Sequence, residues 1–128
     1  MTLFDELGIP GPTARKRGPK AGVTGPERII QNDFVDMLKI KDWFVIETHG
    51  NEFCMGLPDL YCAHSRHGAR WIEVKNPLAY RFTAAQLDVF PHLAAKGIGI
   101  WIVTAASEFE YQKLFRPANW YTFLNVWK

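Results

Sequence analysis

Ile30, Phe34, Met37 and Leu38 recur at the i, i+4, i+7, i+8 spacing of one helix face. The pattern predicts an amphipathic helix running to about Lys41. Thr24 and Glu27 read as a T-x-x-E capping box ahead of it, and Pro26 is tolerated in the first turn because its missing N–H would have no helical partner there. Residues 43–46 are a short run of β-prone apolar residues and read as a strand. Residues 49–57 hold two glycines among polar residues and read as a loop. Residues 59–63 and 70–74 are further strand candidates. Ser65, Arg66, His67 and Gly68 between them form a turn short enough for an antiparallel hairpin.

A second capping box, Thr83 with Gln86, opens a helix through about Ala95, in which Pro91 is expected to cause a kink or a shifted start. Gly97 suits the helix stop. Residues 98–103 are almost continuously apolar, the pattern of a strand covered on both faces. Ser107 and Glu110 form a third box, for a short helix to about Phe115. The order is helix, three strands, helix, strand and an additional helix. A sheet with helices packed on it, an α/β fold, buries such elements.

A chain of 128 residues, 48% hydrophobic, suits one domain with one core. Two cysteines are too few for a disulfide framework and read as reduced thiols. No stretch approaches the roughly 20 apolar residues that cross a bilayer, and the first residues lack a signal-peptide layout, so a cytoplasmic protein without a membrane partner is expected. The formal charge is only +2, but Arg15, Lys16, Arg17 and Lys20 cluster among glycines and prolines. Residues 1–23 therefore read as a flexible basic arm able to neutralise phosphates, with the folded domain at 24–128.

The candidate chemistry lies in Gly56-Leu57-Pro58-Asp59-Leu60 and Trp71-Ile72-Glu73-Val74-Lys75. Glu73 and Lys75 are two positions apart and project from one strand face, with Ile72 and Val74 on the other. Asp59 on the neighbouring strand can sit opposite Glu73, across roughly 5 Å. Two carboxylates so close repel, and one loses its charge unless a cation lies between them. A hard, oxygen-seeking ion, Mg²⁺ or Mn²⁺, suits the pair, and Lys75 can orient or deprotonate water or stabilise charge on a phosphate. One residue at a time, a Pro-Asp turn and an exposed strand face explain these residues as well. Together, poor strand formers interrupting an apolar strand beside Pro58-Asp59 favour a site.

Pro58-Asp59 followed fourteen positions on by Glu73-Val74-Lys75 resembles the PD-(D/E)xK motif of the restriction-endonuclease-like nucleases. The shared αβββαβ core of that superfamily, a central mixed sheet flanked by helices, has the element order read above. More narrowly the chain is similar to the VRR-NUC and Holliday-junction-resolvase-like branch, through Gly56 to Leu60, Ile72 to Lys75 and Gln86. The resemblance implies that Asp59 and Glu73 ligate a metal together with the Val74 carbonyl, that Lys75 is the catalytic lysine, and that Glu27 is directed at the site. Gln86 would orient Lys75 or a phosphate. Glu27 and Gln86 also read simply as helix-capping residues.

The expected activity is a Mg²⁺- or Mn²⁺-dependent endonuclease acting on branched DNA as a homodimer, since a bare catalytic core leaves little surface for reading sequence. Such a stand-alone nuclease would be at home in a bacterium or a bacteriophage. A restriction or nicking enzyme and a catalytically silent DNA-binding module are the alternatives. His49 is a further candidate for DNA contact. Cys54, Cys62, His64 and His67 lack the paired spacing of a structural zinc site. Trp120, Tyr121, Phe123 and Trp127 of the tail suggest a subunit interface.

Overall fold

The computed structural model describes residues 25–48, 55–78 and 80–126. Arg15, Lys16, Arg17 and Lys20, the arm boundary at residue 24, His49, Cys54 and Trp127 lie outside them.

Helix α1 (Pro26–Ile40) buries Gln31, Phe34, Val35 and Leu38. Its N-cap is Gly25, extended at φ −67° and ψ 176°, with no side-chain cap. This corrects the Thr24–Glu27 box. Pro26 takes the first helical position with its φ already set, so Glu27 falls at the second, one place short of the third-position glutamate a box requires. Asp42, at φ 74°, turns the chain into β1.

Strands β1 (Phe44–Glu47), β2 (Leu60–His64) and β3 (Gly68–Val74) form an antiparallel meander, with β2 and β3 joined as the expected hairpin. Helix α2 (Ala84–Ala95) crosses over to β4 (Ile100–Val103), which pairs parallel to β3 and completes a mixed sheet in the order β1-β2-β3-β4. The helix spans Pro91 rather than restarting after it. Pro91 lies on the exposed side, so its missing amide removes one solvent-facing bond. Thr83 and Gln86 form the full reciprocal cap.

Helix α3 (Glu108–Gln112) and 3-10 turns at Lys113–Phe115 and Trp120–Val126 follow. Ser107 accepts the Glu110 amide at 3.2 Å, but the box stays half-formed. The Glu110 carboxylate is drawn instead to the Thr104 amide at 2.8 Å and to Lys113 at 2.8 Å.

Register divides the core. One sheet face carries Val45, Leu60, Cys62, Ile72, Val74 and Val103 against Phe34 and Leu38 of α1. The other carries Ile100 and Ile102 against Phe82, Phe90 and Trp120. Trp120 packs nearly perpendicular to Phe90, with centroids 5.8 Å apart, and Phe123 packs edge-on to Tyr80 at 5.3 Å. Trp120 is thus a core residue rather than an interface residue, and Phe123, half-buried, packs against that core; Tyr121 is exposed. No helix among the described residues is long and apolar enough to cross a membrane.

Candidate active site

The pairing of Leu60 with Ile72 places Asp59, one residue ahead of β2, opposite Glu73. The two residues lock the strand ends together. The Asp59 amide donates to Glu73 Oε1 at 3.1 Å, and Asp59 Oδ2 accepts the Val74 amide at 2.9 Å. Thr48 fixes the approach from the other side, donating its backbone amide to the Asp59 carbonyl at 2.9 Å and its hydroxyl to the Pro58 carbonyl at 2.5 Å. Gly56, at φ 85°, lets the loop lie against α2. A Cβ there would stand 2.8 Å from the Ala85 carbonyl oxygen and 2.7 Å from Val89 Cγ2.

Lys75 follows β3 and is held in register by its amide on the Val103 carbonyl at 3.0 Å. Its ammonium donates to Glu73 Oε2 at 2.9 Å, to Gln86 Oε1 at 3.1 Å and to the Arg81 carbonyl at 2.8 Å. Those three acceptors match the three N–H groups it has. The Phe82 ring lies 4.5 Å from the same nitrogen. Gln86 closes the circuit by donating Nε2 to Glu73 Oε2 at 2.8 Å, while its Oε1 also accepts the Thr83 amide at 3.0 Å. Capping and orienting are therefore carried by one side chain.

Glu73 and Lys75 retain 2% and 4% exposure, so they do not form the exposed face of an amphipathic strand. The α2 side covers them as completely as the α1 side covers Ile72 and Val74. Burial, and then the charge of Asp59, push the Glu73 carboxyl up to about 8, against the pull of Lys75 and Gln86. Two adjacent carboxylates, one driven toward its neutral form, suit a divalent cation that would let both stay ionised. Asp59, half-buried, is the more accessible of the two. The donor set is lean: no group of three or more His, Cys, Asp or Glu gathers among the described residues. Backbone carbonyls such as that of Val74, waters and substrate oxygens would have to complete it.

The fold brings together Asp59, Glu73, Val74, Lys75 and Gln86. It does not join Glu27 to them. Glu27 is half-buried in the first turn of α1, which packs on the sheet face opposite Glu73, and no hydrogen bond or ion pair connects it to the other four. Gln31, one turn on, is 4% exposed and donates to Glu47 Oε1 at 2.9 Å, next to Thr48. The sequence reading missed Gln31, Thr48 and the Arg81 carbonyl. Only Gln31 carried a signal, as a polar residue on the apolar stripe of Phe34, Val35 and Leu38. Cys62 lies in the core, where burial raises its thiol to about 12, while His64 packs tilted against Trp43 and His67 stacks on it.

No protein-family model and no curated protein sequence matches the chain significantly. A solved structure described as a VRR_NUC domain superposes with a TM-score of 0.56 at 17% identity, covering 73% of this chain and 98% of that one. The four-stranded mixed sheet with its flanking helices thus has the fold of that VRR_NUC domain structure.

Proposed function

We propose that the protein is a Mg²⁺- or Mn²⁺-dependent endonuclease that hydrolyses DNA phosphodiester bonds at Asp59, Glu73 and Lys75. The observation that carries this reading is the reciprocal bonding of Asp59 with the Glu73-Val74 segment, with Lys75 held against the same carboxylate, on a VRR-NUC-like fold. Asp59 and Glu73 with the Val74 carbonyl would hold the cation, which when bound supplies charge neutralisation and an activated water. Lys75 would place its N–H donors where negative charge grows on the phosphate oxygens, and Gln86 keeps Lys75 and Glu73 from drifting. Glu27 would join only through water. Arg15, Lys16, Arg17, Lys20 and His49 supply phosphate contacts, and a homodimer acting on branched DNA remains the substrate reading.

One observation favours a different reading. A pair as buried as Glu73 and Lys75 is also what a structural ion pair in a catalytically silent module looks like. Incubation with supercoiled plasmid, linear duplex and a synthetic four-way junction, with and without Mg²⁺ or Mn²⁺, separates the possibilities. Symmetric metal-dependent cutting of the junction supports the proposal. A fixed set of duplex fragments identifies a sequence-specific enzyme, and no cutting of any DNA or RNA form leaves the silent module.

A further inference from the structure

Lys75 has one neighbour that neither accepts a hydrogen bond nor carries charge. The Phe82 side chain is buried, and Lys75 Nζ stands over its ring, 4.5 Å from the centroid. Phe82 directly follows Arg81, whose carbonyl takes one of the lysine N–H groups, and directly precedes Thr83, the N-cap of α2. One short stretch of chain therefore supplies both a hydrogen bond and an aromatic face to the same nitrogen.

The ring is itself held. It meets Phe90 of α2 at a centroid distance of 5.9 Å and an angle of 84°, and Phe90 meets Trp120 at 5.8 Å and 88°. Both are favourable edge-to-face pairs. Phe90 and Trp120 are buried as well. A column of three rings thus runs from the 3-10 turn of the tail, through α2, to the lysine.

Position matters here because lysine is a poor fixture: its four-carbon stem is flexible, and its compact charge imposes little direction on its partners. A phosphate oxygen brought to Nζ competes for the N–H groups now given to Glu73, Gln86 and the Arg81 carbonyl. The face of Phe82 takes no N–H, so that exchange does not displace it. A desolvated ring face attracts an ammonium through its quadrupole alone.

We propose that Phe82 is a positioning residue for Lys75: its ring face, fixed by Phe90 and Trp120, holds the ammonium in place while hydrogen bonds pass from the protein to the substrate. The proposal rests on the nuclease reading for the part that Lys75 plays in the reaction. It gives the C-terminal tail a share in the site, exerted through Trp120.

Phenylalanine carrying one, two or three fluorines at position 82 of the whole chain tests it, because fluorine drains charge from the ring face and changes its shape little. DNA cleavage in Mg²⁺ should slow with each fluorine, kcat falling to roughly a fifth to a thirtieth with three while KM holds. Phe82→Leu should lose at least as much, and the fluorinated series decides the matter if that variant does not fold. A kcat that stays flat across the series means that the ring only fills space, and overturns the proposal. Thermal melts read the same contact without catalysis, as a double-mutant cycle. Three fluorines should lower the melting temperature of the wild type and leave that of Lys75→Met unchanged; equal shifts in both backgrounds overturn the contact. A wild type that cuts no DNA would sink the nuclease reading and leave the melting cycle to decide whether Phe82 holds Lys75.

Discussion

The amide of Asp59 donates to the Glu73 carboxylate at 3.1 Å, and the Asp59 carboxylate accepts the amide that follows Glu73 at 2.9 Å. Each acid thus anchors the backbone of the other, and neither can move without opening the junction of β2 and β3. On the metal-dependent reading proposed above, a pair fixed this way would be preorganised to receive a cation rather than gathered by one, at the expense of stability in its absence.

That cost should be visible in pH dependence. The Glu73 carboxyl is raised from its ordinary 4.5 to about 8, so the fold binds its proton more tightly than the unfolded chain does. The associated stability is complete below about pH 4.5 and fades as pH rises toward 8. Metal-free protein should therefore melt at progressively lower temperature between pH 5 and 8, and Glu73→Gln should flatten that slope (circular dichroism melts, with and without Mg²⁺). An identical slope in the variant would mean that Glu73 does not sense its neighbours in this way.

Gln86 joins the lysine to the glutamate. Gln86→Leu removes its bonds to Lys75, Glu73 and Thr83 and leaves buried polar groups short of partners, an expected loss of roughly 2–3 kcal/mol. Catalysis should suffer in kcat more than in KM, because the substrate contacts stay while Lys75 loses its aim. A fall confined to KM would argue instead that Gln86 touches the substrate.

Gly56→Ala should loosen the loop that delivers Asp59. The new Cβ meets the backbone of Ala85 at 2.8 Å, in a conformation of positive φ, for an expected loss of about 1–3 kcal/mol in chemical denaturation. Ala85→Gly cannot rescue it, since the clash is with the carbonyl; Val89→Ala should relieve part of it.

Much of this arrangement was legible because strand geometry is local. A period of two puts Glu73 and Lys75 on one face, the 65–68 turn forces the hairpin, and the hairpin sets Asp59 opposite Glu73. Thr83 and Gln86 announced their cap by spacing alone. What stayed hidden depends on contacts distant in sequence. Nothing near Lys75 says that α2 will bury it, that the Arg81 carbonyl will turn toward it, or that Thr48 will reach Pro58. Trp120 misled because an aromatic tail reads alike whether it covers a neighbour or its own sheet. The Thr24 box failed for a local reason, a Gly-Pro pair that starts the helix one residue later.

Thr48→Val keeps the size of the side chain while removing the hydroxyl that holds the Pro58 carbonyl. The expected loss is about 1 kcal/mol in denaturant melts, with weaker Mg²⁺ binding by titration calorimetry. Unaltered metal affinity would mean that the Asp59–Glu73 exchange alone fixes the site.

The central claim is tested most directly by single-turnover cleavage of an end-labelled four-way junction in Mg²⁺, comparing the wild type with Lys75→Met and Asp59→Asn after both variants are shown to fold. The expected result is metal-dependent cutting that falls on the order of 100-fold or more in each variant and is abolished by EDTA. Cutting at wild-type rate in either folded variant, or cutting that persists in EDTA, would contradict the assignment of Asp59, Glu73 and Lys75 as the catalytic centre.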